Sequence, residues 1–346
     1  MEGNKVLLMD FDNHHKQMIH AIRAWSFFSI DVISSCSNIK NNSYPKGTNF
    51  IGLNDKFYPV MKLLILFWIT FKYNKVVVLT APELGGGFFK SIYRFVWLMY
   101  LFLFGHKVSL YVKNSHAYLD HASLKLSIRF VEYVFFESES QKNFFNFHVL
   151  DAGSKSKISY VYYADVVEGG EESQKSPNGN GKIRVGLIGQ FDTKRRDYSI
   201  LLDTVDECDR AGVEFIQIGR FVNTAENREV RKVLGGSVKF LKEDYTVSEL
   251  DDMLMTCDLL LSLNNTNTGY DKGKGTAAYG EAISVRKSVI LPRFLDFNEE
   301  FSGFSYYYAD SESLLQAILM ANKECEHDRG RFSNFESSII KDQIVL

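Results

Sequence analysis

The chain is poor in cysteine, and the four it has, Cys36, Cys208, Cys257 and Cys325, lie too far apart to form a paired motif. That excludes a disulfide framework or a Cys-type zinc site, and it leads to an expectation of reduced thiols in a cytosolic setting. No apolar run reaches the roughly 20 residues that a membrane-spanning helix needs. A basic start followed by an apolar stretch is also missing: Glu2 runs directly into a strand-like segment, so no secretory leader is expected and the cytoplasm is the expected location. No repeat of solenoid length is visible. Net charge is only −2, with a pI of about 6.5. Together with the lack of a recognised binding module, this argues against a nucleic-acid partner.

What is present is enough apolar material for two packed cores, 45% hydrophobic and 14% aromatic, in a 346-residue chain longer than one core usually supports. Residues 168–181 (EGGEESQKSPNGNG) carry no apolar side chain of any size and read as a polar linker. The expected organisation is a domain over 1–167, the linker, and a second domain over 182–330. Such a linker would permit hinge closure around a substrate. In the first half, apolar strand-like segments at 5–10, 75–80, 107–112, 133–136 and 158–162 alternate with helical stretches such as 15–28. In the second, strands at 183–188, 214–218, 238–241, 258–263, 288–291 and 305–308 alternate with helices at 199–211, 247–256, 279–285 and 311–322. Continuous apolar strands alternating with helices predict an α/β architecture with parallel sheets covered on both faces. Ligands in such sheets sit beyond the C-terminal strand ends. Gly189, Gly219 and the loops after Leu241 and Leu263 fall at that edge, as do His116 and Ser138 in the first half.

Two segments carry the character of phosphate sites. Residues 273–283 (GKGTAAYGEAI) run from a small-residue loop into an apolar helix with one acid near its start. Backbone N–H groups around Gly275, Thr276 and Ala277 can approach a diphosphate there, and the helix dipole favours its charge. Glu281, about one turn in, is placed to accept hydrogen bonds from ribose hydroxyls. A flexible loop before an ordinary helix with a solvated glutamate would carry the same letters. Upstream, residues 182–191 (KIRVGLIGQF) read as a buried strand ending at Gly189, followed by Lys194, Arg195 and Arg196. An arginine fork offers a phosphate two parallel charge-assisted hydrogen bonds, although a solvated basic turn would look alike.

These residues resemble the nucleotide-sugar glycosyltransferases of the two-Rossmann-domain GT-B fold, and within it the retaining, family-4-like group that builds bacterial surface polysaccharides. The resemblance covers most of the chain and is strongest between residues 182 and 292. It implies two Rossmann-like domains with parallel sheets facing across a cleft, and a final segment, 331–346, that crosses back to the first domain. In that group the first strand of the second domain ends in Gly-Arg, and a basic pair follows that clamps the donor diphosphate. Gly189, Arg195 and Arg196 match, while Gln190 stands at the arginine. The group also carries two glutamates seven residues apart, the second binding ribose. Glu281 matches the second; Gly273 occupies the position of the first, with Asp271 two residues earlier. In the first half His116, after the strand at 107–112, matches a histidine facing the donor sugar, and Ser138-Glu139 matches a helix start. The glycines often found after the first strand are replaced by Asn13, His14 and His15.

The resemblance implies transfer of a sugar from a nucleoside-diphosphate sugar to a glycan or polyprenyl-linked glycan acceptor. No cofactor and no metal ion is expected; the adjacent histidines point in alternating directions and no Cys or carboxylate spacing completes a site. Arg195 or Arg196 and the amides near Thr276 and Ala277 would stabilise the leaving diphosphate. Glu281 would hold the ribose, the loop after Leu241 the base, and His116 would line the sugar site. Two rival readings stand beside it: a degenerate nucleotide-binding scaffold, motivated by Gln190 and Gly273, and a haloacid-dehalogenase-like phosphatase using Asp10 and Asp12.

Charge is unevenly distributed. Through Asp165 there are 18 Lys and Arg against 12 Asp and Glu, and the remainder has 22 against 30. Between residues 56 and 113 eight Lys or Arg face the single acid Glu83, and two strongly apolar segments, 60–71 and 92–104, share that window. They are expected to be core helices of the first domain or, alternatively, an interfacial face through which the chain meets the inner surface of the cell membrane.

Overall fold

A computed structural model describes residues 5–10, 15–36, 39, 44, 48–54, 58–79, 88–113, 115, 118, 122–149, 157–161, 181–241, 245, 247–270, 274, 276–295, 300–324, 332 and 344. The chain divides into two compact units. One comprises Met1–Ala164, Lys272–Gly275 and Ser337–Leu346, and the other Asp165–Asp271 and Thr276–Glu336. Nearly all of the linker over 168–181 lies outside the described residues.

The first unit runs β1 (Lys5–Met9), α1 (His15–Ala24), β2 (Ser29–Ser35), β3 (Asn49–Leu53), α2 (Tyr58–Ile69), β4 (Lys75–Val78), α3 (Phe88–Phe104), β5 (Val108–Tyr111), α4 (Ala122–Ile128), β6 (Tyr133–Phe136), α5 (Glu139–His148) and β7 (Lys157–Tyr160). Among the described residues these strands form one parallel sheet in the order β3-β2-β1-β4-β5-β6-β7. Alternate residues feed opposite faces, as the pleat requires. Leu7, Met9, Val76, Val78, Val134 and Phe136 join one core with α2 and α3. Val6, Leu8, Val77, Tyr133 and Phe135 join the other with α1, and Ile344, near the end of the chain, is buried there too.

The sequence reading missed β2 and β3 and carried α1 four residues too far. The helix stops at Ala24 because the chain turns through Trp25–Phe28 and enters β2 at Ser29. β2 is hard to read because Asp31 sits in its middle. Its carboxylate accepts from the Tyr73 hydroxyl at 2.5 Å and from Asn49 Nδ2 at 3.2 Å, and it pairs with Lys5 Nζ at 3.0 Å. Burial alone would raise the Asp31 pKa, but the bonds from Tyr73, Lys5 and Asn49 outweigh it and hold the carboxyl below its ordinary value. A depressed folded pKa contributes stability above the unfolded value that is lost as pH falls through the folded one. Tyr73→Phe is therefore expected to move the acid-unfolding midpoint, followed by circular dichroism, to higher pH. At neutral pH it should remove about 1.5–3 kcal/mol, the usual value of a hydrogen bond to a charged group. An unchanged acid midpoint would contradict this role.

The second unit runs β8 (Ile183–Ile188), α6 (Ser199–Arg210), β9 (Val213–Ile218), α7 (Ala225–Leu234), β10 (Val238–Phe240), α8 (Val247–Met255), β11 (Leu259–Leu261), α9 (Ala277–Val285), β12 (Val289–Pro292), β13 (Ser305–Tyr308) and α10 (Ser311–Glu324). Its sheet is also parallel, in the order β10-β9-β8-β11-β12-β13. This is the doubly wound Rossmann order, with its switch point between β8 and β11. Helices α6 and α10 pack together on one face, over Leu187, Phe215, Leu261 and Tyr308, and α8 packs against α9. α7 was not read from the sequence; Thr224 caps its start, accepting from the Asn227 amide at 3.2 Å.

Candidate functional site

The residues at the switch point are held by the requirements of close backbone approach. β8 ends at Gly189, whose φ of +96° lies in the region that favours glycine. A Cβ there would also run into the Arg196 guanidinium. At Gly219, after β9, φ is +153° and a Cβ would strike the carbonyl of Gly189. Gln217 Nε2 donates to that same carbonyl at 3.0 Å. Two bare backbones thus lie against each other, and the arginine side chain covers the first.

The loop carrying Arg195 and Arg196 is stitched to the loop after β11. Arg196 forms an antiparallel bridge with Asn264, the Asp197 amide donates to the Leu263 carbonyl at 2.7 Å, and the Asn265 amide donates to the Arg195 carbonyl at 3.2 Å. Arg196 Nη1 donates to Ser262 Oγ at 3.0 Å, and Arg195 Nη2 donates to the Tyr270 hydroxyl at 2.9 Å. Arg195 Nη1 donates to Gln190 Oε1 at 3.3 Å, so the glutamine at the expected arginine position is an acceptor that steadies the next cation. The Nε groups of both arginines are buried and have no hydrogen-bond partner among the described residues. Asn227, fully buried, anchors the loop from below: its Oδ1 accepts from the Thr193 amide at 3.0 Å and the Thr193 hydroxyl at 2.8 Å. Its Nδ2 donates to the Val222 carbonyl at 2.6 Å.

Helix α9 starts because Thr276 caps it, its hydroxyl accepting from the Ala278 amide at 3.3 Å. Ala277, the first helical residue, is exposed. Glu281 is half-buried one turn in. Tyr245, in the loop that follows β10, reports its surroundings: burial and then the charge of Glu281 raise the phenol pKa, while Arg220 works in the opposite sense. Glu281 on α9 and Arg220 in the loop beyond β9 therefore both act on Tyr245. Leu241, half-buried, opens the loop that follows β10.

A cavity of about 590 Å³ opens in the second unit beside α6, lined by Arg196, Asp197, Asn264, Asn265, Arg293 and Tyr308 among others. Arg196 lines this cavity and also lies against the Gly189 backbone, whereas neither Thr276 nor Glu281 lines it.

Of the residues singled out from the sequence, Gly189, Arg195, Arg196 and Gly219 share the strand edge at the switch point, and Thr276, Ala277 and Glu281 share the start of α9. His116 and Gly275 lie outside the described residues, as do Asp12, His14, Asp271 and Gly273. Asp10 is buried at the end of β1, and Ser138 caps α5, accepting from the Gln141 amide at 3.1 Å. Sequence reasoning missed Tyr245, Tyr270, Ser262, Asn264 and Asn227. These polar residues carry no motif, and only their burial beside the arginines or Glu281 marks them.

No protein-family model and no curated protein matches the chain. Solved structures do. The catalytic domain of starch synthase IV from Arabidopsis thaliana, bound to ADP and acarbose, superimposes with a TM-score of 0.60 and 11% identity, covering 99% of this chain and 96% of that one. The lipopolysaccharide outer core galactosyltransferase WaaB does so at 0.54 and 12% identity, covering 98% and 97%. UDP-GlcNAc 2-epimerase from Neisseria meningitidis, bound to UDP-GlcNAc, gives 0.50 and 12% identity, covering 98% and 97%. Two parallel sheets of Rossmann order and these neighbours define the fold as GT-B.

Proposed function

We propose that this protein is a glycosyltransferase that moves a sugar from a nucleoside-diphosphate sugar to a glycan or lipid-linked glycan. The assignment extends to bacterial surface polysaccharide synthesis at the inner face of the membrane. The observation that carries the reading is the placement of Arg196 at the switch point of the second sheet, laid over bare backbone at Gly189 and held by Ser262. Solved neighbours of the same fold that bind UDP or ADP support it.

In glycosyl transfer the anomeric carbon gains positive charge and the departing diphosphate negative charge, so donors fixed in advance around the diphosphate lower the barrier most. Arg195 and Arg196 supply two cations whose Nε groups have no protein partner among the described residues. The start of α9, at Thr276 and Ala277 with Gly275 before it, adds amides and the positive end of a helix dipole. Glu281 accepts from the ribose, and the loop from Leu241 to Tyr245 takes the base. His116 is assigned to the donor sugar by the resemblance alone. Transfer proceeds with retention and without a metal ion, a phosphate oxygen of the leaving group taking the acceptor proton on the same face.

A second reading is a UDP-sugar epimerase, favoured by the neighbour of that activity that holds UDP-GlcNAc on this fold. Thermal unfolding against UDP, GDP, CMP, dTDP and their sugar conjugates, with and without magnesium, tests the donor site. A ligand at ~100 times its dissociation constant adds about 2.7 kcal/mol. Stabilisation by one nucleoside diphosphate, equal with and without magnesium, is expected; no response to any would overturn the reading. The selected sugar nucleotide, incubated with the enzyme and an acceptor panel, is expected to yield glycosylated acceptor. Conversion to an epimeric sugar nucleotide in its place would identify the second reading.

A further inference from the structure

Helices α2 and α3 are apolar almost all round, which in a globular unit normally means burial on all sides. Among the described side chains, one stripe of each is buried. Leu63 and Leu66 of α2 and Trp97, Tyr100, Leu101 and Phe104 of α3 enter the core. The opposite stripes face outward at helical spacing: Leu64, Trp68 and then Phe71 just beyond α2, and Phe95, Met99 and Phe102 on α3. Trp68 is 83% exposed, Phe71 74%, Phe102 71% and Phe95 67%. The helices are neighbours, since Phe71 packs edge-on against Phe104 at 5.0 Å and Phe67 against Tyr100 at 5.4 Å. α4 extends the face with Leu126 and packs against α3.

At 150–250 Å² per aromatic side chain, the four exposed rings alone present on the order of 500 Å² of apolar surface. That is the size, about 300–600 Å², of the largest apolar patch a monomer usually exposes, which is often a functional surface. The charges around the face identify the partner. None of the three helices contains an Asp or Glu; next in sequence to the outward residues stand Lys72, exposed after Phe71, and Arg94 and Lys125, half-buried before Phe95 and Leu126. Lysine is depleted at protein–protein interfaces, whereas aromatic residues with lysines are the signature of a surface lying at lipid headgroups. No described helix is long and apolar enough to cross a membrane. We propose that the outward face of α2, α3 and α4 docks on an anionic bilayer surface, sinking Trp68, Phe71, Phe95 and Phe102 to the headgroup boundary. This deepens the transferase reading, for which it supplies access to a lipid-linked acceptor, but vesicle binding is read without donor or acceptor and so fails independently.

The test uses the whole protein and vesicles of equimolar phosphatidylglycerol and phosphatidylcholine, with pure phosphatidylcholine as the second arm. Of the three tryptophans, Trp25 and Trp97 are buried, so a change in emission reports Trp68. Co-sedimentation with the anionic vesicles and a blue shift are expected, both weakened by salt. The Trp68→Ser/Phe102→Ser variant should partition about tenfold or more less strongly. Its melting temperature and nucleotide response, kept as wild type, show that it is folded. A single Phe95→Ser variant gives a milder version if the double variant is unstable. No sedimentation with anionic vesicles, equal binding to both vesicle types, or undiminished binding by folded variants would overturn the proposal. So would a concentration-dependent blue shift without lipid, which would assign the face to a second copy of the chain.

Discussion

Arg196→Ala is expected to lower turnover of the nucleotide sugar by about 10²–10³-fold, the usual loss when one preorganised donor to a developing negative charge is removed. The fold should survive. Arg196 is half-buried, and Ser262, which loses its donor, keeps its bond to Asn264, so the stability cost should be about 1 kcal/mol. Arg196→Lys should recover only part of the activity, because an ammonium cannot reproduce the fork. Gly189→Ala reaches the same group from below: its Cβ would meet the guanidinium at a backbone φ of +96°. It should lose turnover and stability together. Steady-state kinetics with melting curves separates the cases, and a folded Arg196→Ala enzyme with wild-type kcat would remove the clamp from the mechanism.

The second large effect falls on Glu281. Its replacement by alanine should raise the Kd of the preferred nucleoside diphosphate by about 10–100-fold, equivalent to about 1.5–3 kcal/mol for lost hydrogen bonds to a charged group. The melting temperature without ligand should change little, as the side chain is half-exposed on α9. A spectroscopic signature accompanies the loss. The Glu281 charge is one of the influences that raise the Tyr245 phenol, after burial, so the variant should ionise a tyrosine at lower pH in ultraviolet difference titration. Undiminished nucleotide affinity in calorimetry would sink the ribose assignment whatever the tyrosine does.

Much of the fold was legible because buried parallel strands and amphipathic helices write their periods into the chain. β6, β8 and β13 fall at the residues read from the sequence, and most other strands there within two. β2 and β3 were not legible: Asp31 interrupts the first, and β3, at the edge of its sheet, is half-exposed. Nothing local to Asp31 indicates that Tyr73, 42 residues on, will satisfy it. In the candidate site the places of Gly189, Arg195 and Arg196 beyond β8, and of Glu281 one turn into α9, were legible because a glycine ends the apolar run of a strand and a small-residue loop precedes a helix start. Tyr245, Tyr270 and Asn227 were not, because a tyrosine or asparagine in a loop carries no information until its partner is known. The apolar segments over 60–71 and 92–104 left two readings open; the structure places one stripe of the described side chains in the core and leaves another exposed, and the vesicle experiment tests what that exposed stripe meets.

The sequence by itself determined the alternation of strand and helix, the parallel α/β class and the glycine and cation positions at the second unit's strand edge, since these depend on spacing along the chain. Tertiary structure decided which loops meet: that Arg196 lies over Gly189 and bridges Asn264, that Gln190 steadies Arg195, and that the Glu281 charge acts on Tyr245. It also decided which stripe of α2 and α3 stays uncovered. Those outcomes depend on strand order and packing between segments tens of residues apart, and hydrophobic periodicity records that a face is apolar without recording what will cover it.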